Sequence, residues 1–134
     1  MSKIISKIQL NDYKKYYLSI RNKIDRYPHI LFILFTPPPL RASLTNKNYA
    51  KRAGFFSKWL ISKDYISKRR NIKIFDFFSL LAEDLPIEKT YNTLREKYCR
   101  TNYFDSHPNR RANEEIGEIF TNFLFQSVRD FFSF

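Results

Sequence analysis

Apolar residues recur along the chain with two distinct rhythms. Between Gln9 and Arg26, Tyr13, Tyr16 or Tyr17, Ile20, Ile24 and Tyr27 return every three or four positions, and Lys14, Lys15, Arg21 and Lys23 take the other side. That period predicts an amphipathic helix, which Pro28 closes. The six-residue run Ile30-Leu31-Phe32-Ile33-Leu34-Phe35 has no alternation, so it predicts a strand buried on both faces, as in a parallel sheet. Thr36-Pro37-Pro38-Pro39 must then be a rigid loop, because consecutive prolines lack ladder donors and force extended backbone.

The helical rhythm resumes from Thr45 to about Ser62, with Tyr49, Ala53, Phe56 and Leu60 on one stripe, Trp59 beside it and a basic far side. After the Lys68-Arg70 turn, Asn71 to Phe77 predicts a second buried strand with Asp76 near its end. A short helix over Phe78 to Glu83 follows. Pro86 to Tyr103 is irregular, with one helical turn around Leu94 to Tyr98. The last helix is the clearest, with Ala112, Ile116, Ile119, Phe120, Phe123, Leu124, Val128 and Phe131 on one face and Asn109 placed to cap it. The order helix, strand, helix, strand, loop, helix predicts an α/β fold with two parallel strands and flanking helices, as a single domain over residues 1–134.

Composition changes this picture only in part. Of 134 residues, 43% are hydrophobic and 18% aromatic, enough apolar surface to build a core rather than remain disordered. The formal net charge is +11, and its distribution is uneven. Up to Lys73 there are 17 basic and 3 acidic residues, and from Ile74 onward 7 basic and 10 acidic. A basic half can bind polyanions by releasing counterions, yet only Lys68-Arg69-Arg70 forms a run, and nucleic acid is not the expected partner. One cysteine, Cys99, excludes an intramolecular disulfide and reads as a structural thiol in a reducing compartment. With no transmembrane run and no leader-like start, the default expectation is a cytoplasmic chain, unless a leader stands on a missing N-terminal portion.

Chemistry is restricted to few residues. Of the two histidines, His29 follows Pro28 at a strand entrance and reads as structural. His107 follows Asp105 by two residues, with Pro108 behind it and a helix starting next. A carboxylate beside an imidazole sets its tautomer and stabilises the imidazolium, although an Asp-Ser pair before a helix is also an ordinary turn and cap. Asp76 at a strand end reads as the cap of the next helix. Glu114, Glu115 and Glu118 suit the positive end of the last helix rather than a metal. No phosphate-cradling glycine loop occurs, and no cofactor or metal is expected.

Taken together, the strand ending in Thr36-Pro37-Pro38-Pro39-Leu40, the helix ending in Trp59-Leu60, the segment Asn71-Ile72-Lys73-Ile74-Phe75-Asp76-Phe77-Phe78 and the loop Asp105-Ser106-His107-Pro108-Asn109 resemble the C-terminal half of the GDSL/SGNH hydrolase family. The resemblance spans nearly the whole chain. It implies a partial flavodoxin-like three-layer fold, with His107 as general base and Asp105 as its orienting partner in a serine ester hydrolase. The family's aspartate commonly stands three residues before the histidine, where Phe104 lies here. The Gly-Asp-Ser and Gly-x-Asn-Asp blocks that carry the nucleophile and oxyanion hole are absent from the sequence, and its only glycines, Gly54 and Gly117, fall in predicted helices. The resemblance therefore implies a C-terminal portion that is inactive alone and acts on an ester once completed. An apolar strand with an open edge also calls for a cover: a missing N-terminal half, self-association through Ile30-Phe35, or the Tyr-rich first helix of a small complete domain. The competing class is a non-catalytic basic α/β module that binds a polyanion or a protein.

Overall fold

Two short strands and the helices on either side of them organise the chain. The computed structural model describes residues 2–86 and 89–133. Its elements are α1 (Ser2–Ile24), β1 (Phe32–Phe35), α2 (Lys47–Leu60), α3 (Lys63–Ile66), β2 (Ile72–Phe75), α4 (Phe77–Leu81) and α5 (Arg110–Phe132), with 3-10 turns at Ala42–Leu44 and Glu96–Tyr98. The strands pair in parallel, Phe32 opposite Ile72 through Phe35 opposite Phe75. The amides of Phe32 and Thr36 extend the ladder, donating to Asn71 O at 2.8 Å and Phe75 O at 3.0 Å.

Strand alternation sends neighbouring side chains to opposite layers. Leu34 and Ile74 face a cluster built on Phe56, Leu60 and Tyr65 with Tyr17, Leu18 and Trp59, which is the side of α1, α2 and α3. Phe75 faces the other cluster with Leu81, Leu94, Tyr98, Ala112 and Ile116, the side of α4 and α5. Phe35 joins it through rings, 5.3 Å from Phe75 and 5.1 Å from Phe120. The class is mixed helix and strand with one parallel pair, and helices cover both faces.

Several boundaries and faces differ from expectation. The first strand is four residues long, because the amide of Ile30 still belongs to a turn and donates to Tyr27 O at 3.1 Å. It is also not buried on both faces: Phe32, Ile33 and Leu34 are half-buried and Phe35 is 43% exposed, since a two-stranded sheet is too narrow to be covered fully. α1 starts at Ser2 rather than near Gln9, and its inward residues are Leu10, Tyr17, Leu18 and Ile24, with Tyr13, Tyr16 and Tyr27 more than half exposed. On α2 the buried stripe is Ala50, Gly54, Phe56, Ser57 and Leu60, and Tyr49 lies outside it. On α5 the inward stripe steps through Ala112, Ile116, Phe120, Phe123 and Ser127, which leaves Ile119 and Leu124 facing outward.

Other expectations hold. Asn109 caps α5 by accepting the Ala112 amide at 3.0 Å. The structure adds Asn46 as the cap of α2, accepting the Tyr49 amide at 2.9 Å. Asp76 caps α4. Thr36, fully buried, ties the two strand ends together: its Oγ1 donates to Asp76 Oδ1 at 3.1 Å and accepts the Phe78 amide at 2.7 Å. Gly54 allows a close approach: a Cβ there would stand 2.6 Å from Asn92 Nδ2, so the Asn92 side chain would have to shift. Asn92 itself holds a left-handed backbone with φ 64°, a conformation asparagine tolerates better than most residues. Among the described residues no helix is long and apolar enough to cross a membrane.

Candidate active site

Parallel strands present their carboxyl ends, and the loops beyond them, on one edge of a sheet, and α/β folds place ligands there. In this chain that edge holds Thr36-Pro37-Pro38-Pro39-Leu40 after β1, Asp76 after β2, and the loop before α5. His29 precedes β1 and therefore sits at the opposite end, exposed.

The loop before α5 is held at both ends. Asn109 donates its side-chain amide to Lys97 O at 2.9 Å and Cys99 O at 3.1 Å, while its backbone amide donates to Tyr98 O at 2.9 Å. From the strand side comes Arg41, only 5% exposed. Its Nη1 donates to Arg100 O and Asn102 O, both at 2.8 Å, and its guanidinium lies 4.5 Å from the Tyr103 ring centroid. The Arg41 backbone amide donates to Ser106 Oγ at 3.1 Å, and the Ser43 hydroxyl donates to Tyr103 O at 3.1 Å. The loop is therefore latched to the chain that leaves β1.

Within this frame Asp105 and His107 meet. Asp105 Oδ1 accepts the His107 backbone amide at 2.9 Å and lies 2.7 Å from His107 Nδ1. Asp105 Oδ2 stands 3.6 Å from Arg100 Nη1. The His107 amide, its ring and then the Arg100 guanidinium hold the Asp105 carboxyl below the usual carboxylate range. A carboxylate against Nδ1 favours the Nδ1–H tautomer and leaves the Nε2 lone pair free to take a proton. The His107 side chain is 83% exposed, and among the described residues its ring is hydrogen-bonded to Asp105 alone. No serine or threonine hydroxyl touches it there. Ser106, the nearest in sequence, is engaged with the Arg41 amide. The position three before the histidine is Phe104, 86% exposed and without a part in the pair.

The other candidates resolve into structural roles. Glu115 accepts from Arg111 Nε, one turn back on α5, at 2.7 Å and from Tyr98 Oη at 2.6 Å; both pull its pKa down to about 2, and the Tyr98 bond docks α5 onto the Glu96–Tyr98 turn. Glu114 pairs with Arg110 at 2.7 Å one turn away. Cys99 is half-buried, its thiol aimed at Arg95 O at 3.5 Å and its pKa pushed up by burial, which makes it a poor nucleophile. Among the described residues no group of three His, Cys, Asp or Glu side chains is arranged to hold a metal.

Sequence reasoning missed Arg41 altogether. Nothing in its local context marks it, since its partners lie 59 to 65 positions away and most are backbone carbonyls.

Comparison with protein-family models, curated proteins and solved structures gave no match. The chemical reading of the loop therefore rests on its geometry.

Proposed function

We propose that the chain is the C-terminal portion of an SGNH-type serine ester hydrolase, contributing His107 as general base and Asp105 as its orienting partner. The observation that carries this reading is the 2.7 Å contact between Asp105 Oδ1 and His107 Nδ1 on a latched loop beyond the carboxyl ends of two parallel strands, with Nε2 open. On this reading β1 and β2 are the last two strands of a flavodoxin-like sheet, and the free edge of β1 takes the next strand. The N-terminal portion brings the serine and the oxyanion-hole donors. Serine attacks an ester carbonyl, Nε2 of His107 takes its proton and returns it to the leaving alcohol, and a water activated by the same nitrogen then releases the acyl group. Asp105 stays ionised throughout and steadies the imidazolium. The substrates are acyl esters of carbohydrates or lipids. Where no N-terminal portion is present, a second copy of the chain pairs at the same strand edge. The single cysteine, unpaired, favours a reducing compartment such as the cytoplasm.

The test is reunion. The polypeptide encoded immediately upstream, carrying Gly-Asp-Ser and Gly-x-Asn-Asp blocks, is mixed with this chain and 4-nitrophenyl acetate hydrolysis is followed. Turnover should rise well above either part alone and fall by about 10³-fold or more in His107→Ala. Turnover indifferent to His107, or an upstream region encoding no such blocks, removes the triad assignment.

A further inference from the structure

The chain's carboxylates are mostly engaged where its charges cluster in the second half, whereas one basic group stands apart. Lys47, Lys51 and Lys58 occupy one side of α2, at steps of four and seven residues, roughly 6 and 10 Å along the helix axis. With Lys89 on the facing segment they line a groove of about 290 Å³, whose other walls include Phe55 and Tyr91. Among the described residues none of these four ammonium groups meets a carboxylate, and no acidic side chain is found in the groove lining. Phe55 is 50% exposed, with the Lys51 ammonium 5.7 Å from its ring centroid. Four like charges held around one concavity repel one another, and the repulsion is relieved when a polyanion enters.

The groove does not end there. Its floor is Gly54, where the absence of a Cβ lets the Asn92 amide lie against α2. Asn92 also lines a second cleft of about 360 Å³, walled by Tyr13, Tyr17, Tyr49, Pro37, Pro38 and Leu40 among others. Leu40 precedes Arg41, whose amide binds Ser106 beside His107. The two clefts thus meet at Asn92 and make one track, whose aromatic half includes Leu40, the residue before the one that holds Ser106.

We infer that this track binds an anionic polysaccharide, with its carboxylates on Lys47, Lys51, Lys58 and Lys89 and its sugar faces against Phe55, Tyr91 and the tyrosines of the cleft. The inference rests on the ester-hydrolase reading in one respect. Lysines interleaved with rings would equally suit a single-stranded nucleic acid, but sugar hydroxyls carry the acyl esters the loop would cleave, and a nucleic acid strand offers no such ester.

The probe is a decagalacturonate, titrated into this chain at 50 and 300 mM NaCl and followed by backbone amide NMR. The triple variant Lys47→Gln, Lys51→Gln, Lys58→Gln is compared with an equally discharged control, Lys23→Gln, Lys63→Gln, Lys68→Gln, whose lysines are exposed and lie outside the groove. Binding should weaken about tenfold or more in the groove variant and no more than about twofold in the control, with a shallower salt dependence only in the former. Amides around Phe55, Gly54 and Asn92 should shift on titration, and Phe55→Ala should weaken binding without altering the salt dependence. Equal loss in both triple variants overturns the site in favour of diffuse charge. A ten-nucleotide single-stranded DNA that binds more tightly and depends on the same lysines overturns the polysaccharide. Because the measurement needs no turnover, a failure of the hydrolase reading appears only in the reunited enzyme, and a failure of this one appears only in binding.

Discussion

Replacing Arg41 by methionine should release the Asp105–His107 loop while keeping the bulk that fills its site. Two charge-assisted hydrogen bonds, to Arg100 O and Asn102 O at 2.8 Å each, are lost from a side chain that is 6% exposed. Hydrogen bonds to charged groups are worth about 1.5–3 kcal/mol each. The orphaned carbonyls belong to exposed residues and can rehydrate, so the lower figure applies to both. The stacking on Tyr103 adds about 0.5–1 kcal/mol, because that ring is 67% exposed. Glu96, 4.0 Å away and 89% exposed, adds little. The expected loss is about 3–4 kcal/mol, which at a urea m-value of about 2 kcal/mol/M lowers the unfolding midpoint by about 1.5–2 M. Arg41→Lys keeps the charge but reaches one carbonyl at best, so its loss should be about half and the chain should stay folded. The functional readout is the ¹⁵N shift of the His107 ring, which should leave the Nδ1–H pattern in both variants as the loop loosens. A midpoint within about 0.3 M of the parent, or a lowered midpoint with an unchanged His107 ring signal, refutes the latch.

Thr36→Val preserves shape but strips the Phe78 amide of its buried acceptor, and should cost about 1–3 kcal/mol by urea titration; a neutral result would mean that water replaces the hydroxyl. Burial pushes the Tyr65 pKa up to about 12, against 10.0 for the unburied phenol, so the folded chain keeps a proton that the unfolded chain releases. That contribution is complete below pH 10, is lost between pH 10 and 12, and amounts to at most about 3 kcal/mol. Tyr65→Phe should therefore flatten the alkaline limb of stability, at the cost of about 1 kcal/mol at pH 7 for the bond to Tyr17 O at 3.0 Å; an unchanged alkaline limb would count against it. Asp105 has a lowered pKa, so its contacts persist above the ordinary carboxylate range and break as the pH falls through the folded value. The His107 amide proton should titrate with a midpoint below 3.8 and lose that transition in Asp105→Asn; a midpoint at or above 3.8 contradicts the geometry.

What sequence alone conveyed depended on how local the signal was. The helix caps Asn109 and Asp76 follow from residue type and position because a cap is settled within four residues. The strand pair and its neighbours were readable from apolar runs, but burial of the first strand was overread: a run without alternation says that both faces are apolar, not that a two-stranded sheet has enough covering to bury them. The stripes on α1, α2 and α5 each shifted, because an apolar residue at the right period can still lie at the edge of the contact, as Tyr13, Tyr49 and Ile119 do. Arg41 was invisible since it acts on carbonyls, which any sequence provides.

The Asp105–His107 pair admits two readings from spacing, a turn or a catalytic dyad, and the geometry joins them in one atom. Asp105 Oδ1 accepts both the His107 amide and a contact from its ring. The first bond makes an Asx turn, which sets the backbone of His107 within two residues of the carboxylate; the second then needs only the ring to rotate about its own bonds. The two-residue spacing thus brings the pair together, the Arg41 latch keeps the turn closed, and Phe104 is free to point outward. The roles separate on substitution. Asparagine forms Asx turns as well as aspartate does, so Asp105→Asn should preserve the turn and cost little stability. It brings no negative charge to an imidazolium, however, and its amide can present a donor as readily as an acceptor to Nδ1. A loop that only turns will not register that change, whereas a base in a reunited hydrolase will lose orders of magnitude in turnover.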